Sequence, residues 1–427
     1  MLLNWKVAEA PSGPERREPD THARPLFDAI ARVVAIGWLI AVVMAHAGPA
    51  GAAVQIIDEN GDGLGNVLML PYDVAANLDG SKTYVTGNQS NTVFEIPVLG
   101  PPILILDASG DSGVNTLAGP YGVAVGDDGR VYVSGLESNN VFRVDTNGAV
   151  TQIIDTTGDN QGNPLLGPRG VAVDAQNNVY VVGGESHNVF KIDPFGAITQ
   201  IIDSTGDRTT NPDGTYKTRL IQPVDIAIDA IGRVFITGHG SKNVFRIDPN
   251  STITEILDES GDGTNSLDGP WGLAFDEATG QLFVSGYDSD NIFRVEPDGT
   301  VTEILDAAGA GPSQPLDGPR EISVDNAGDL VITGSISHNV ISLQTSGALV
   351  AVEILNITGD GTNDLFTPWG IATDATGDIY VTGLNSYNAF RFASVSAAPA
   401  LDPSAIALLA GALATAGSAI LRKARDY

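Results

Sequence analysis

A proline returns seven times along this chain at a nearly constant interval. Pro71, Pro120, Pro168, Pro223, Pro270, Pro319 and Pro368 stand 49, 48, 55, 47, 49 and 49 residues apart. A period of this length marks a repeat architecture, in which each unit buries its apolar faces against its neighbours. After each proline the same order of segments returns. Residues 168–202 read PRGVAVD, VYVVGGESHN, VFKIDPFG and AITQIID. These are four short runs rich in Val, Ile, Phe and Tyr, punctuated by Asn, Asp, Pro and Gly, which end strands and build turns. Four strands per unit of about 48 residues is the blade of a β-propeller. The expected fold is all-β: a seven-bladed propeller of four-stranded blades over residues 54–392.

The strand count also predicts how the ring ends meet. The first copy of the fourth strand, VQII at 54–57, precedes any first strand. The last repeat stops after its third strand, at Phe390-Arg391-Phe392. The N-terminal VQII is therefore expected to complete the last blade, which removes a loose edge.

GPYGVAVGDDGRVYVSG at 119–135 is similar to the GPxGVAVDxxGxVYVxG signature of NHL-type propeller repeats, and the likeness runs through the whole of 54–392. The resemblance implies the fold. It does not choose an activity, because propellers of this kind include protein-binding modules, lyases and lactonases.

The formal net charge is −30. Nucleic acid and anionic membrane surfaces both need a positive face, so neither is an expected partner of the folded domain. The chain has no cysteine, which excludes disulfides, thiolate metal sites and a cysteine nucleophile.

Both ends carry export features. Residues 33–45 read VVAIGWLIAVVMA after Arg16, Arg17 and Arg32, and HAGPAGAA follows. Residues 1–53 are thus expected to be a signal segment, cut after Ala47 or Ala52. The stretch before the apolar run is long for a signal peptide, which puts the expected start of translation downstream of Met1. Residues 393–402 form a small-residue linker. Residues 403–427 begin with Pro403 at a first helical turn, run apolar from Ala405 to Leu421, and end with Arg422, Lys423 and Arg425. That order reads as a membrane helix with its basic end in the cytoplasm. It resembles the PEP-CTERM sorting signal of Gram-negative bacteria, with Leu401-Asp402-Pro403 where the family has Pro-Glu-Pro. The resemblance implies a sorting peptidase as a partner and a place in the bacterial cell envelope or outside the cell.

Residues present in every blade are expected to serve the blade. Gly87, Gly135, Gly183, Gly238, Gly286, Gly334 and Gly383 close the second strands, and a Ser follows each three residues later. Two residues further on comes Asn, or Thr92 in the first blade. Gly is expected there for its open backbone angles, and Ser and Asn for their bonds to nearby amides. The loops entering each blade read DENGDGLGN at 58, DESGDGTNS at 258 and similarly elsewhere. Asp58, Asn60 and Asp62, and Asp258 with Asp262, place oxygens on a sharply turning backbone, as a calcium loop does. The EF-hand pattern then breaks, because Met69 stands where a bidentate Glu belongs. The alternative is a set of side-chain-capped turns on an acidic rim.

The blades disagree directly after the marker prolines. The pairs are Tyr72-Asp73, Tyr121-Gly122, Arg169-Gly170, Val224-Asp225, Trp271-Gly272, Arg320-Glu321 and Trp369-Gly370. These positions start the innermost strands, so they are expected at the mouth of the central channel. Asp73, Asp225 and Glu321 form one candidate site, able to hold calcium or another divalent cation. The alternative is internal pairing with Arg169 and Arg320. Tyr72, Tyr121, Trp271 and Trp369 offer faces for a sugar or peptide. His187, His239 and His338 are expected to be surface turn residues. One loop is longer than the rest. Residues 208–223 make the 55-residue interval and carry Arg208, Lys217 and Arg219.

No nucleophile elbow, phosphate loop or HExxH is present. The leading expectation is an exported binding module for a protein, polysaccharide or small molecule. The alternatives are a divalent-cation-dependent enzyme of lactonase or lyase type, and a passive, calcium-stabilised envelope or biofilm-matrix component.

Overall fold

The computed structural model describes residues 53–393. The expected export segment, linker and C-terminal helix lie outside these residues except at boundary positions 53 and 393. Among the described residues no helix is long and apolar enough to cross a membrane.

Seven four-stranded antiparallel sheets account for the described residues. Strands are lettered a to d from the channel outward and blades numbered 1 to 7. In blade 3 they are Pro168–Val173, Val179–Gly183, Asn188–Ile192 and Ile198–Ile202. The other a strands are Pro71–Ala76, Pro120–Val125, Pro223–Ile228, Pro270–Asp276, Pro319–Val324 and Pro368–Thr373. Every a strand thus begins at a marker proline, where the missing N–H leaves no ladder bond unmade. Each a strand packs against the next, and that of blade 7 against that of blade 1. Val54–Ile57 lies in the sheet of blade 7, antiparallel to Asn388–Ala393, with Val54 opposite Arg391 and Gln55 opposite Phe390.

The core lies between blades. Tyr84, Val93 and Leu106 of blade 1 pack with Val123, Val133 and Phe142 of blade 2, and the pattern recurs around the ring. Ile57, Val74 and Phe94 meet Tyr380 and Ala389 to join blade 1 to blade 7. Each strand c aromatic, such as Phe142 or Phe190, is fully buried and contributes ~1.5–3 kcal/mol by leaving water.

The glycine closing strand b serves a different purpose from the one expected. Gly135 does not have a left-handed backbone. A Cβ there would run into Ser138 Oγ and Asn140 Oδ1, so the glycine makes room for that pair. Ser138 Oγ donates to Asn140 Oδ1 at 2.7 Å and accepts from the Ala118 amide at 2.9 Å, while Asn140 Nδ2 donates to Thr116 O at 3.0 Å. Together they hold the loop that enters the blade.

A second set of hydroxyls ties one blade to the next. The residue before that glycine is Thr86, Ser134, Thr237, Ser285, Thr333 or Thr382, and all six are fully buried. Thr237 Oγ1 accepts from the Asp225 amide of its own a strand at 3.0 Å and donates to Trp271 O of the next at 2.9 Å. Ser134 does the same between Gly122 N, 2.8 Å, and Arg169 O, 2.6 Å. Thr382 joins Gly370 N to Tyr72 O at 2.9 and 3.3 Å, across the blade 7 to blade 1 junction. In blade 3 the position is Val182, fully buried, so no hydroxyl bridges Gly170 to Val224.

Thr237→Val is expected to leave a buried amide and carbonyl unpaired and to lower stability by about 1–3 kcal/mol. Val182→Thr supplies the missing hydroxyl at constant volume and is expected to add about 0.5–1.5 kcal/mol. Guanidinium unfolding midpoints of both variants check this, and an unchanged or lower midpoint for Val182→Thr contradicts the bridging role.

Candidate functional site

The start of strand a and the loop after strand b share one end of the channel. Leu136 N bonds to Gly119 O at 2.8 Å, and the same pairing recurs in other blades. The first residues of the a strands therefore gather in a single cluster. Tyr72 lies 4.8 Å from Tyr121 and 4.8 Å from Trp369, ring centre to ring centre. Trp369 meets Trp271 edge-on at 5.9 Å. The Arg320 guanidinium sits 3.3 Å from the Trp369 ring centre, 4.1 Å from Trp271 and 4.2 Å from Tyr287. Its Nε donates to Ser335 Oγ at 3.2 Å. Arg169 Nε lies buried beside Gly184, without a partner.

Three members of this cluster come from a position outside the expected mouth residues. The residue after the strand b glycine is His239, Tyr287 and Ser335 in blades 4, 5 and 6. It varies as much as the residue after the proline, being Asn88, Leu136, Gly184 and Leu384 elsewhere. That variation was the available signal. His239 is a correction to the expected surface role. Its ring packs edge-on to Trp271 at 5.2 Å, and its Nδ1 is buried without a partner. His187 and His338 do serve turns, accepting the Gln222 and Thr367 amides of the next blade through Nδ1 at 3.0 and 2.9 Å.

One step further along the a strands, Asp73, Asp225 and Glu321 line one cavity of about 70 Å³ with Tyr72, Tyr121 and Trp369. The other four blades have glycine here because the strands run too close for a side chain. A Cβ on Gly272 would meet the backbone of Arg320, and one on Gly370 that of Tyr72 and Asp73. The two aspartates also bind across blade junctions. Asp73 accepts from the Val74 and Val123 amides, each at 2.8 Å, and Asp225 from Leu273 N at 2.8 Å. No hydrogen bond to the Glu321 carboxylate is formed by the described residues.

Among the described residues no ion pair joins these acids to Arg169 or Arg320; the pairs present are formed by other acids. Burial is therefore not offset by an ion pair. It pushes the Asp73 carboxyl up to about 7, against the pull of its two amide bonds. It raises Asp225 as well. Glu321 is held well above the usual carboxylate range by burial first, then by the charges of Asp225 and Asp73, with Arg320 opposing.

The rim loops are arranged as capped turns. Asp58 Oδ1 accepts from Asn60 N at 2.9 Å, and Asp258 from Ser260 N at 2.9 Å. Asp62 accepts from Leu64 N, and from Asn66 Nδ2 at 2.6 Å. Asp262 accepts from Thr264, Asn265 and Glu303 amides, which hold its carboxyl down at about 2. Among the described residues no three His, Cys, Asp or Glu side chains stand at metal-holding spacing. The 208–223 loop folds back on itself, with Thr210 paired to Tyr216 and Lys217 N bonded to Thr209 O at 2.9 Å.

The architecture is that of a seven-bladed β-propeller with four-stranded blades. No protein-family model matches the chain, and no curated protein matches it. Among solved structures it is similar to the selenomethionine-substituted virginiamycin B lyase from Staphylococcus aureus, at 16% identity over 80% of this chain and 99% of that one, with a TM-score of 0.59. The catalytically inactive form of that lyase with quinupristin gives 17% identity, 80% and 99% coverage and a TM-score of 0.60. Kuenenia stuttgartiensis hydrazine synthase gives 16%, 77%, 96% and 0.55. These likenesses show the shared fold.

The raised carboxyls set a pH dependence of stability. A carboxyl with a higher folded pKa binds more protons folded than unfolded, so its contribution is full below the unfolded pKa and is lost as pH rises through the folded one. Glu321→Gln is expected to match the wild type in melting temperature near about pH 4 and to exceed it increasingly towards about pH 8. Calorimetry across that range checks it; parallel curves contradict an uncompensated Glu321.

Proposed function

We propose that this is an exported bacterial cell-envelope protein whose propeller binds its ligand, a peptide, a saccharide or a small molecule, at the aromatic mouth of the channel. One observation carries the reading. Where the blades depart from their repeat, buried donors are left without partners: Arg320 Nη1, Trp271 Nε1, Trp369 Nε1 and the Tyr121 hydroxyl. An unpaired buried polar group costs ~1–3 kcal/mol, and several together are a cost that a ligand's acceptors, or ordered water in its absence, offset. Aromatic faces beside convergent polar groups are the usual make-up of a ligand pocket. The apolar run at 33–45 and the basic-ended segment at 403–427 support export and envelope sorting. The pairing of Val54–Ile57 with the last blade supports a ring clasped by its N-terminal strand once the signal segment is removed.

A second reading, an enzyme of lyase or lactonase type, is favoured by the Asp73 carboxyl near 7, where a carboxyl both gives and takes protons. Among the described residues no three acids or histidines stand at metal-holding spacing, and the proton transfer in this reading rests on Asp73 alone.

Arrays of peptides, saccharides and small molecules test the binding reading. Trp369→Phe and Arg320→Met are expected to weaken any ligand found by about tenfold or more, because a buried charge-assisted or indole hydrogen bond is lost. Lys217→Ala, in the long loop, is expected to leave binding unchanged. Binding that survives both mouth variants, or that fails with Lys217→Ala, counts against the mouth.

A further inference from the structure

We infer that the cavity beneath the mouth receives a cationic group, an ammonium or guanidinium, from the ligand; this deepens the mouth-binding reading and rests on it.

The first ground is convergence. Asp73, Asp225 and Glu321 come from blades 1, 4 and 6 and line one cavity. The intervening blades have glycine at that position because the strands run too close for a side chain, so the side chains this position contributes to the cavity are all acidic. The second ground is the missing counter-charge. Among the described residues no Lys, Arg or His comes within ion-pairing distance of the three carboxylates. The nearest cation of the cluster, Arg320, turns its guanidinium to the faces of Trp369, Trp271 and Tyr287 and its Nε to Ser335.

An independent observation points to an occupant. Tyr121 is only 8% exposed and lines this cavity, and its hydroxyl meets no hydrogen-bond partner among the described residues. A hydroxyl oxygen can accept from an ammonium or guanidinium beside the carboxylates. The acceptor capacity is in place. The Glu321 carboxylate receives no protein hydrogen bond, and Asp73 and Asp225 keep lone pairs beyond those their backbone amides use.

Size and wall chemistry narrow the class. A space of about 70 Å³ holds a head group, whereas pockets for whole drug-sized ligands run to ~300–1,000 Å³. The spacing does not suit a bare metal ion. Tyr72 and Trp369 present aromatic faces, which attract organic cations through the ring quadrupole. A chain of net charge −30 raises the local concentration of such groups further. The cation can belong to a lysine or arginine side chain of a polypeptide or to a free amine.

Calorimetric titration of the folded propeller separates these. The probes are blocked Gly-Gly-Lys-Gly-Gly and Gly-Gly-Arg-Gly-Gly peptides, their norleucine and citrulline counterparts, and n-butylammonium. The charged probes are expected to bind about tenfold or more tightly than the neutral ones, and Glu321→Gln and Asp225→Asn to erase that difference. Glu321→Gln breaks no hydrogen bond of the Glu321 carboxylate, and its melting curve verifies that it folds. Binding of the peptides alone assigns the cation to a polypeptide, and binding of butylammonium as well assigns it to any alkylammonium. If neutral probes bind equally well and Trp369→Phe weakens them, the mouth reading stands and the cation inference falls. If no charged probe binds, or both acid variants bind them undiminished, the inference falls too.

Discussion

The inner edge of six of the seven blades is finished by one buried hydroxyl. Strand a has a ladder partner on only one side, and its other edge is turned to the channel and the next blade. Unpaired backbone groups on such an edge are both costly and prone to mispairing. Thr86, Ser134, Thr237, Ser285, Thr333 and Thr382 settle this by accepting an amide from their own strand a and donating to a carbonyl of the next. A hydroxyl is the smallest group that does both. The a strands run at separations that leave no room for a Cβ at Gly122, Gly272 and Gly370, whose amides are bridged in this way, and also at Gly170, whose amide is not.

That narrow axis explains the electrostatics of the candidate site. Three acids stand where glycine is otherwise required, and the surrounding backbone leaves them little water. Asp73 and Asp225 partly repair this by taking Val123 and Leu273 amides of the following blade. They therefore hold blade junctions together while carrying the charge that makes the site. Glu321, one methylene longer, makes no such bond among the described residues. Scaffold and site are here the same interaction seen from two sides.

The fold was legible because its cause is periodic. Seven prolines, seven glycine-closed strands and a fixed order of apolar runs leave few alternatives to a propeller. The mouth was legible in part. Tyr72, Tyr121, Trp271, Arg320 and Trp369 are aligned by the repeat and do meet, but the pairing of Arg320 was not predictable. Charge alone suggested the acids, whereas the guanidinium finds indole faces. Tyr287, His239 and Ser335 were missed because a loop residue after a glycine looks like turn material until its neighbours are known. The strand b hydroxyls were visible as Ser or Thr before glycine in six repeats. Their role was hidden because it concerns the next blade, some 35 residues away in sequence. The rim aspartates were legible as turn material as well as oxygen donors, and the backbone amides of their own turns do bond them.

Seven identical blades would give a channel with no preferred direction of approach, so function has to come from broken symmetry. The breaks are not scattered. Val182 removes the hydroxyl bridge at the junction of blades 3 and 4. The cavity walls Gly170, Val171, Val224 and Asp225 belong to that same junction. The one long loop, 208–223, leads directly into the strand that begins at Pro223. A junction without its hydroxyl has an amide on Gly170 and a carbonyl on Val224 with no bridge between them, beside a cavity and next to an acid. The aromatic and guanidinium half of the mouth, Trp271, Arg320 and Trp369, comes from blades 5 to 7. The stacked side chains of blades 5 to 7 thus share the ring with one unbridged junction, and under the proposed mouth-binding reading it is this asymmetry that would orient a ligand carrying a positive group at one end.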